Sequence, residues 1–286
     1  MISRERTLLA ASLMVLAAVL NSLDAVVVRS LAGEVHPLMI GFFRSFFGLL
    51  VILPWMVSRV TLRASPYRFW HVVRASLKLA SLISLFIAFA HAPLADATAI
   101  NFTMPVFLVL GAWLFLKERV GLATITSIVA GFIGIVLIIK PGSASFDPWL
   151  LFALAGAILT AASQLILRRM ALSDSTDQLV AWNLLVTVPL AFLAMLPVLA
   201  VPTMPLIGLL ALQGAIGAVN MSIITRAFGR ASASFLAPFD FLRLPIVAAL
   251  AFVFFGEQAT VATWTGGAVI FGATLVATGG ARFLRR

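Results

Sequence analysis

Apolar residues run through this chain in blocks of about twenty, separated by short stretches of Arg, Pro, Gly or Asp. A helix needs about 20 residues to cross about 30 Å of hydrocarbon. Ten blocks of that length fall at 7–28, 37–57, 73–91, 95–116, 120–139, 148–167, 178–199, 204–225, 231–254 and 260–281. Spread over 286 residues, they leave no room for a soluble domain. The pattern predicts an all-α integral membrane protein with ten transmembrane helices. Arg4 and Arg6 ahead of the first block look like the start of a signal peptide. The block is too long for a signal h-region, and further spans follow at once, so it is read as the first helix.

Composition narrows the class. The chain is 62% hydrophobic and 10% charged, against about 45–50% and 25% in soluble domains. A soluble enzyme could not cover such a surface with polar groups, and disorder needs low hydrophobicity. The net charge of +10 would suggest a nucleic-acid partner in a soluble protein. Here it reflects basic loops facing anionic lipid, and no nucleic acid is expected. With the N-terminus in the cytoplasm, sixteen of the twenty Lys and Arg residues fall on cytoplasmic segments. Arg29 and Lys140 lie on the other side, and Arg44 and Arg243 lie within spans. This asymmetry supports both the count of ten and cytoplasmic termini. Cysteine is absent, which removes disulfides, thiol nucleophiles and Cys-ligated metals.

The chain also repeats itself. AHAPLADATAINFTMPVFLVLGAWLFLKE ends at Glu118, and FGRASASFLAPFDFLRLPIVAALAFVFFGE ends at Glu257. Each has a start rich in small residues, a proline (Pro105 or Pro245), an apolar run and a closing Glu. The offset is about 139–140 residues, near half the chain. Residues 1–141 and 142–286 are therefore expected to be two five-helix repeats. Five is odd, so the second enters the membrane from the opposite side, leaving Glu118 cytoplasmic and Glu257 external. Inverted repeats are a recurrent plan of secondary transporters, with a solute site near the midplane.

At these residues the sequence resembles the drug/metabolite transporter superfamily, of the EamA type. The two Pro-to-Glu segments carry the resemblance, together with Pro37 followed by Arg44; residues 237–257 match most closely. The resemblance implies a ten-helix carrier in the bacterial cytoplasmic (inner) membrane, exporting small metabolites such as amino acids. Within the superfamily, the aromatic amino-acid exporters of the YddG type are similar. Related families import S-adenosylmethionine, sugars or nucleotide sugars, which leaves import or exchange as the alternative. The resemblance further implies a central cavity lined by the first, third, fourth, sixth, eighth and ninth helices.

Polar residues inside the apolar blocks are the candidates for chemistry. A charge at the bilayer centre costs about 2.5–3.5 kcal/mol on insertion scales, so each must be paired, hydrated or near an end. Asp240 and Arg243 stand three apart in the ninth span, on one expected helix face. They are either a self-neutralising structural pair or a zwitterion site, with Arg243 taking a carboxylate and Asp240 an amine. Pro105, Pro238 and Pro245 remove backbone donors inside spans and are candidate gate hinges. Asn21 and Asp24 lie in the outer half of the first span, and Asp96 and Asn101 in the outer part of the fourth. Arg44 is expected to neutralise Asp24 or Asp96 as a structural partner. Asp24 is alternatively a proton carrier, if a proton gradient drives transport. Gln213 and Asn220 are seven apart and share a helix face, which makes them cavity candidates.

His36, His71 and His91 have no acidic partner at metal spacing, so neither metal nor cofactor is expected. No GxSxG, Walker A loop or TVGYG filter occurs. The expected function is a secondary carrier of a small-molecule solute, working by alternating access. A lipid-modifying membrane enzyme using Asp24, Asp96 or Asp240, and a passive channel, are the readings from other classes.

Overall fold

The computed structural model describes residues 4–59, 67–116, 121–170, 174, 176–228, 230, 236 and 239–277. Among them the regular elements are helices: α1 (Arg4–Leu31), α2 (Pro37–Arg59), α3 (Arg68–His91), α4 (Leu94–Asn101), α5 (Met104–Leu116) and α6 (Leu122–Ile139). There follow α7 (Leu150–Met170), α8 (Thr176–Met195), α9 (Met204–Phe228), α10 (Arg243–Phe255) and α11 (Val261–Ala277). Seven stretches are long and apolar enough to cross a membrane, and three shorter apolar ones lie at Ile125–Ile139, Arg243–Phe255 and Val261–Val276. The shorter ones occupy the places of the fifth, ninth and tenth expected spans. The third span begins at Arg68, earlier than the expected 73.

The outside of the bundle is apolar. Val57, Phe115, Leu122, Val253 and Val261 are more than 70% exposed. The interior mixes large residues such as Phe86, Phe89 and Ile40 with many small ones, among them Ala25, Ala88, Ala92, Ala97 and Ala99, all fully buried. Lipid tails are as apolar as Leu, so large apolar groups gain little by turning inward. Small residues gain close backbone packing instead. At the crossing of α6 and α11, a Cβ on Gly134 would lie 2.6 Å from Ile270 Cγ1 and 2.9 Å from the Gly266 carbonyl oxygen. A Cβ on Gly266 would lie 2.5 Å from Ile138 Cγ1 and 2.9 Å from the Gly134 carbonyl oxygen. As the position on α6 advances from 134 to 138, its neighbour on α11 retreats from 270 to 266, so the two helices run antiparallel.

Long-range polar and ring contacts group the helix ends consistently with alternating threading. At one end Arg29, late in α1, reaches carbonyls at the close of α3 and the carboxylate of Glu257 after α10. His91 stacks on Trp149, with centroids 4.2 Å apart, at the same end. At the other end His71, early in α3, meets Asp174 after α7 at 3.0 Å, and Arg74 donates to the Leu179 carbonyl of α8 at 2.7 Å.

Two spans are broken. Phe102 and Thr103 form a turn between α4 and α5, and Phe241 and Leu242 form a turn before α10. The two breaks are 139 residues apart, the spacing of Glu118 and Glu257, and α5 and α10 have 13 residues each. Pro105 and Pro245 were expected as mid-helix kinks. They instead fall within the first three residues of the restarting helices, where the N–H groups have no intrahelical acceptor and a missing one costs little. The same break corrects the expectation for Asp240 and Arg243: residues 239–240 are helical, but the turn at 241–242 separates Asp240 from the helix that Arg243 begins. Pro238 and Glu118 lie outside the described residues.

Candidate functional site in the bundle interior

The breaks bring aromatic rings together. Phe102 and Phe241 stack with centroids 4.3 Å apart and planes 29° apart. Phe241 also meets Phe271 of α11 at 4.4 Å. Each break thus carries a Phe, and these two rings meet across the two halves of the chain.

The charges lie beside these rings. Arg44 Nη1 donates to both carboxylate oxygens of Asp24, at 2.7 and 2.6 Å, and its guanidinium lies 5.6 Å from the centroid of Phe86. Their side chains are 20% and 11% exposed. Glycine at 217 makes room for this pair, because a Cβ there would stand 2.9 Å from Arg44 Nη2. Gly214, one turn earlier on α9, lets that helix press on α2: its Cβ would lie 2.5 Å from Phe47 Cβ and 3.2 Å from the Arg44 carbonyl oxygen. Asn220 Nδ2 donates to Asn21 Oδ1 at 2.9 Å, which ties α9 to α1. Ser22 Oγ donates to the Ala18 carbonyl at 2.8 Å and approaches the Arg243 carbonyl at 3.4 Å, which brings the start of α10 against α1.

Several interior polar groups lack a hydrogen-bond partner, among them the Thr98 and Thr187 hydroxyls and the Trp182 indole N–H, and two more are the costly ones. Gln213 is 0% exposed, and neither its amide nitrogen nor its amide oxygen has a hydrogen-bond partner. Arg243 is 9% exposed. Its Nε is unpaired, and its guanidinium lies 5.7 Å from the centroid of Phe102. Asp240, Asp24 and Arg44 are all within its electrostatic reach, yet among the described residues it joins no ion pair. An unpaired buried amide forfeits about 1–3 kcal/mol, and an unpaired buried charge more. Groups so expensive to leave unmet are where a ligand gains most.

The remaining candidates lie elsewhere. Asp96 accepts from Thr263 Oγ1, joining α4 to α11, so Arg44 has Asp24 and not Asp96 as its partner. Asn101 closes α4 at the first break and is partly buried. Asp240 is partly buried. Among the described residues no group of three His, Asp or Glu side chains is placed to hold a metal.

One polar knot escaped the sequence reading. Arg29 Nη1 donates to the Phe89 and Ala90 carbonyls at 3.1 and 2.7 Å, and Arg29 Nη2 donates to Glu257 Oε1 at 2.7 Å. Glu257 Oε2 accepts the Leu94 N–H at 2.9 Å. Gly256 (φ 68°) ends α10, and the Glu257 N–H turns back to the Ala251 carbonyl at 3.2 Å. That left-handed helix ending aims the Glu257 side chain. The signals were present as the Gly-Glu that closes the second repeat and as Arg29, one of two cations on its side.

A family model described as "EamA-like transporter family" matches residues 8–140. A riboflavin transporter of Rhizobium johnstonii is 32% identical over 276 residues, covering 95% of this chain and 91% of that protein. The chain belongs to the EamA-like transporter family. An S-adenosylmethionine uptake transporter of Rickettsia bellii is 29% identical over 262 residues, covering 91% and 90% of the two chains. A solved crystal structure superposes with a TM-score of 0.62 at 22% identity, covering 99% of this chain and 100% of that one, a likeness of fold alone.

As an EamA-like transporter, the chain is a multi-pass membrane carrier of the drug/metabolite superfamily. Amino-acid export, the first expectation, is not what these relatives are named for. Their names speak for the alternative, transport of another metabolite. For this EamA-like transporter the interior rings and unmet polar groups are accordingly candidates for holding solute.

Proposed function

We propose that this protein takes up a flat heteroaromatic metabolite that bears a ribose-derived chain. The reading is carried by Gln213, a fully buried amide whose donor and acceptor are both free. An amide pairs in bidentate fashion with a ring edge that offers one acceptor and one donor side by side. Phe102, Phe241 and Phe271 make the neighbouring wall aromatic, and a planar ring system could enter there by displacing one of these rings from its neighbour. The solutes named for the two relatives share this chemistry, since S-adenosylmethionine and riboflavin each join a fused nitrogen heterocycle to a ribose-derived chain.

Transport proceeds by alternating access between two inverted five-helix halves, 1–141 and 142–286, in the bacterial inner membrane with both termini cytoplasmic. The antiparallel crossing of α6 and α11 and the equally spaced breaks support this arrangement. The turns ahead of Pro105 and Pro245 are the bending points. Asn21 and Asn220 link the halves beside the solute, and the Asp24–Arg44 pair holds the wall.

The test uses the full chain in proteoliposomes, with and without a pH gradient. Labelled S-adenosylmethionine and riboflavin are offered, with tryptophan as competitor. Saturable uptake of at least one heteroaromatic, accelerated by unlabelled solute preloaded inside, is expected, with no competition from tryptophan. Gln213→Leu is expected to weaken apparent affinity at least tenfold, about 1.4 kcal/mol, without lowering Tm. Tryptophan transport that neither heteroaromatic inhibits would reject the reading.

A further inference from the structure

We propose that Arg243 seats an anionic group of the solute, a carboxylate, in the interior of the bundle. This rests on the carrier reading above but not on the ring system assigned to the solute.

The argument begins with what is already spent. Of the two arginines near the centre, the partly buried Arg44 donates to both oxygens of Asp24. Arg243 is 9% exposed, its Nε is unpaired, and among the described residues no carboxylate forms an ion pair with it. Asp240, across the turn at 241–242, is within electrostatic reach of Arg243 but forms no ion pair with it. A planar guanidinium offers five donors in a fork that matches a carboxylate. Replacing an absent partner with a solute carboxylate would satisfy a charge that is otherwise desolvated for nothing.

The backbone points the same way. Arg243 is the first residue of α10, a helix of 13 residues that restarts inside the apolar interior. At this helix start the Leu244 and Ile246 N–H groups are taken by the Phe241 and Leu242 carbonyls and Pro245 has none, so the backbone contributes its partial positive charge, and half-helices that begin at mid-membrane commonly face the anionic part of a solute. The ring of Phe102 under the guanidinium holds a cation by its face while leaving its edge donors available. Ser22 on α1 approaches the Arg243 carbonyl at 3.4 Å, which brings the start of α10 against α1.

The experiment compares solutes that differ by one carboxylate. Binding of S-adenosylmethionine and of its decarboxylated analogue is measured on the full chain in detergent, for the wild type, Arg243→Gln and Arg243→Lys. The wild type is expected to prefer the carboxylate about tenfold. Arg243→Gln is expected to bring the two within about twofold of each other, and Arg243→Lys to restore part of the preference. Tm without solute is expected to hold or rise in Arg243→Gln, because an unpaired buried charge is removed.

An unchanged preference in Arg243→Gln, or none in the wild type, overturns the proposal. So does a steep fall in Tm, which marks a structural role. If neither adenosyl compound binds, the heteroaromatic reading fails by itself. The ratio of tryptophan to tryptophanamide binding then decides the anion seat, and absence of carboxylate preference there as well overturns it. Inorganic phosphate serves as the free-anion arm. Competition by phosphate would place an independent ion at Arg243 and overturn the solute assignment; no competition supports it.

Discussion

At the scale of single residues, the interior is governed by which charges are met. Asp24 and Arg44 are chemically no different from Asp240 and Arg243, yet the first two form a tight pair at 2.6 Å and the second two do not. Breaking a buried pair from one side strands the other charge, at about 3–5 kcal/mol. Side-chain exposures of 20% and 11% put this pair near the lower figure. Asp24→Ala and Arg44→Ala are each expected to lower stability by about 3 kcal/mol. The double variant should lose clearly less than the sum, because it strands nothing. Thermal melting of the three variants in detergent measures this, and strict additivity would show that the two side chains act independently. The contrast with Arg243→Gln, expected to hold or raise Tm, separates a satisfied charge from a waiting one.

At the scale of elements, glycine positions decide how closely helices approach, and they differ sharply among themselves. A Cβ on Gly134 would meet the Gly266 carbonyl oxygen at 2.9 Å as well as Ile270 Cγ1 at 2.6 Å. A side chain can turn away, but backbone cannot, so α6 and α11 would have to separate. A Cβ on Gly272 of α11 would meet nothing within 4 Å. Gly134→Val is therefore expected to cost about 1–3 kcal/mol, while Gly272→Ala is neutral or stabilises by about 0.5–1 kcal/mol. Equal melting temperatures for these two variants would contradict the crossing described above. The prolines act at this scale too. Pro105 and Pro245 do not bend continuous helices; each stands just inside a new one, and the turns ahead of them supply the loose joints.

At the scale of the whole molecule, one end of the bundle is tied by Arg29 and Glu257. That pair gathers the ends of α1, α3 and α10 and the start of α4. Under alternating access this knot must open whenever that end admits solute. The chain has no cysteine, so single reporters can be introduced without background. In an Asn21→Cys reporter, adding Glu257→Gln is expected to raise the labelling rate by a membrane-impermeant maleimide severalfold from the knotted side only. An unchanged rate would mean that the knot is a fastening and no gate. Reporters at Gly121→Cys and Glu257→Cys are expected to react from opposite faces of the bilayer. Reaction from one face would remove the inverted arrangement of the halves.

Much of this was legible in the residues alone, for a physical reason. Lipid is a uniform apolar solvent, so the length of an apolar block, about 20 residues for each crossing, and the placement of Lys and Arg are read directly from composition along the chain. The spacing of Pro105 from Pro245, and of Glu118 from Glu257, was visible as well, but it led to prolines inside continuous spans and not to the two breaks. Partner choice was not legible. Arg44 had two acidic candidates, and only the packing of α1 and α2 against the same helix, α9, selected Asp24 and left Asp96 to Thr263. Likewise nothing in a linear pattern distinguishes an arginine that is paired from one that is not. The isolation of Arg243 and Gln213 arises from how neighbouring helices pack, because pairing depends on distances of about 3 Å between side chains that can lie hundreds of residues apart.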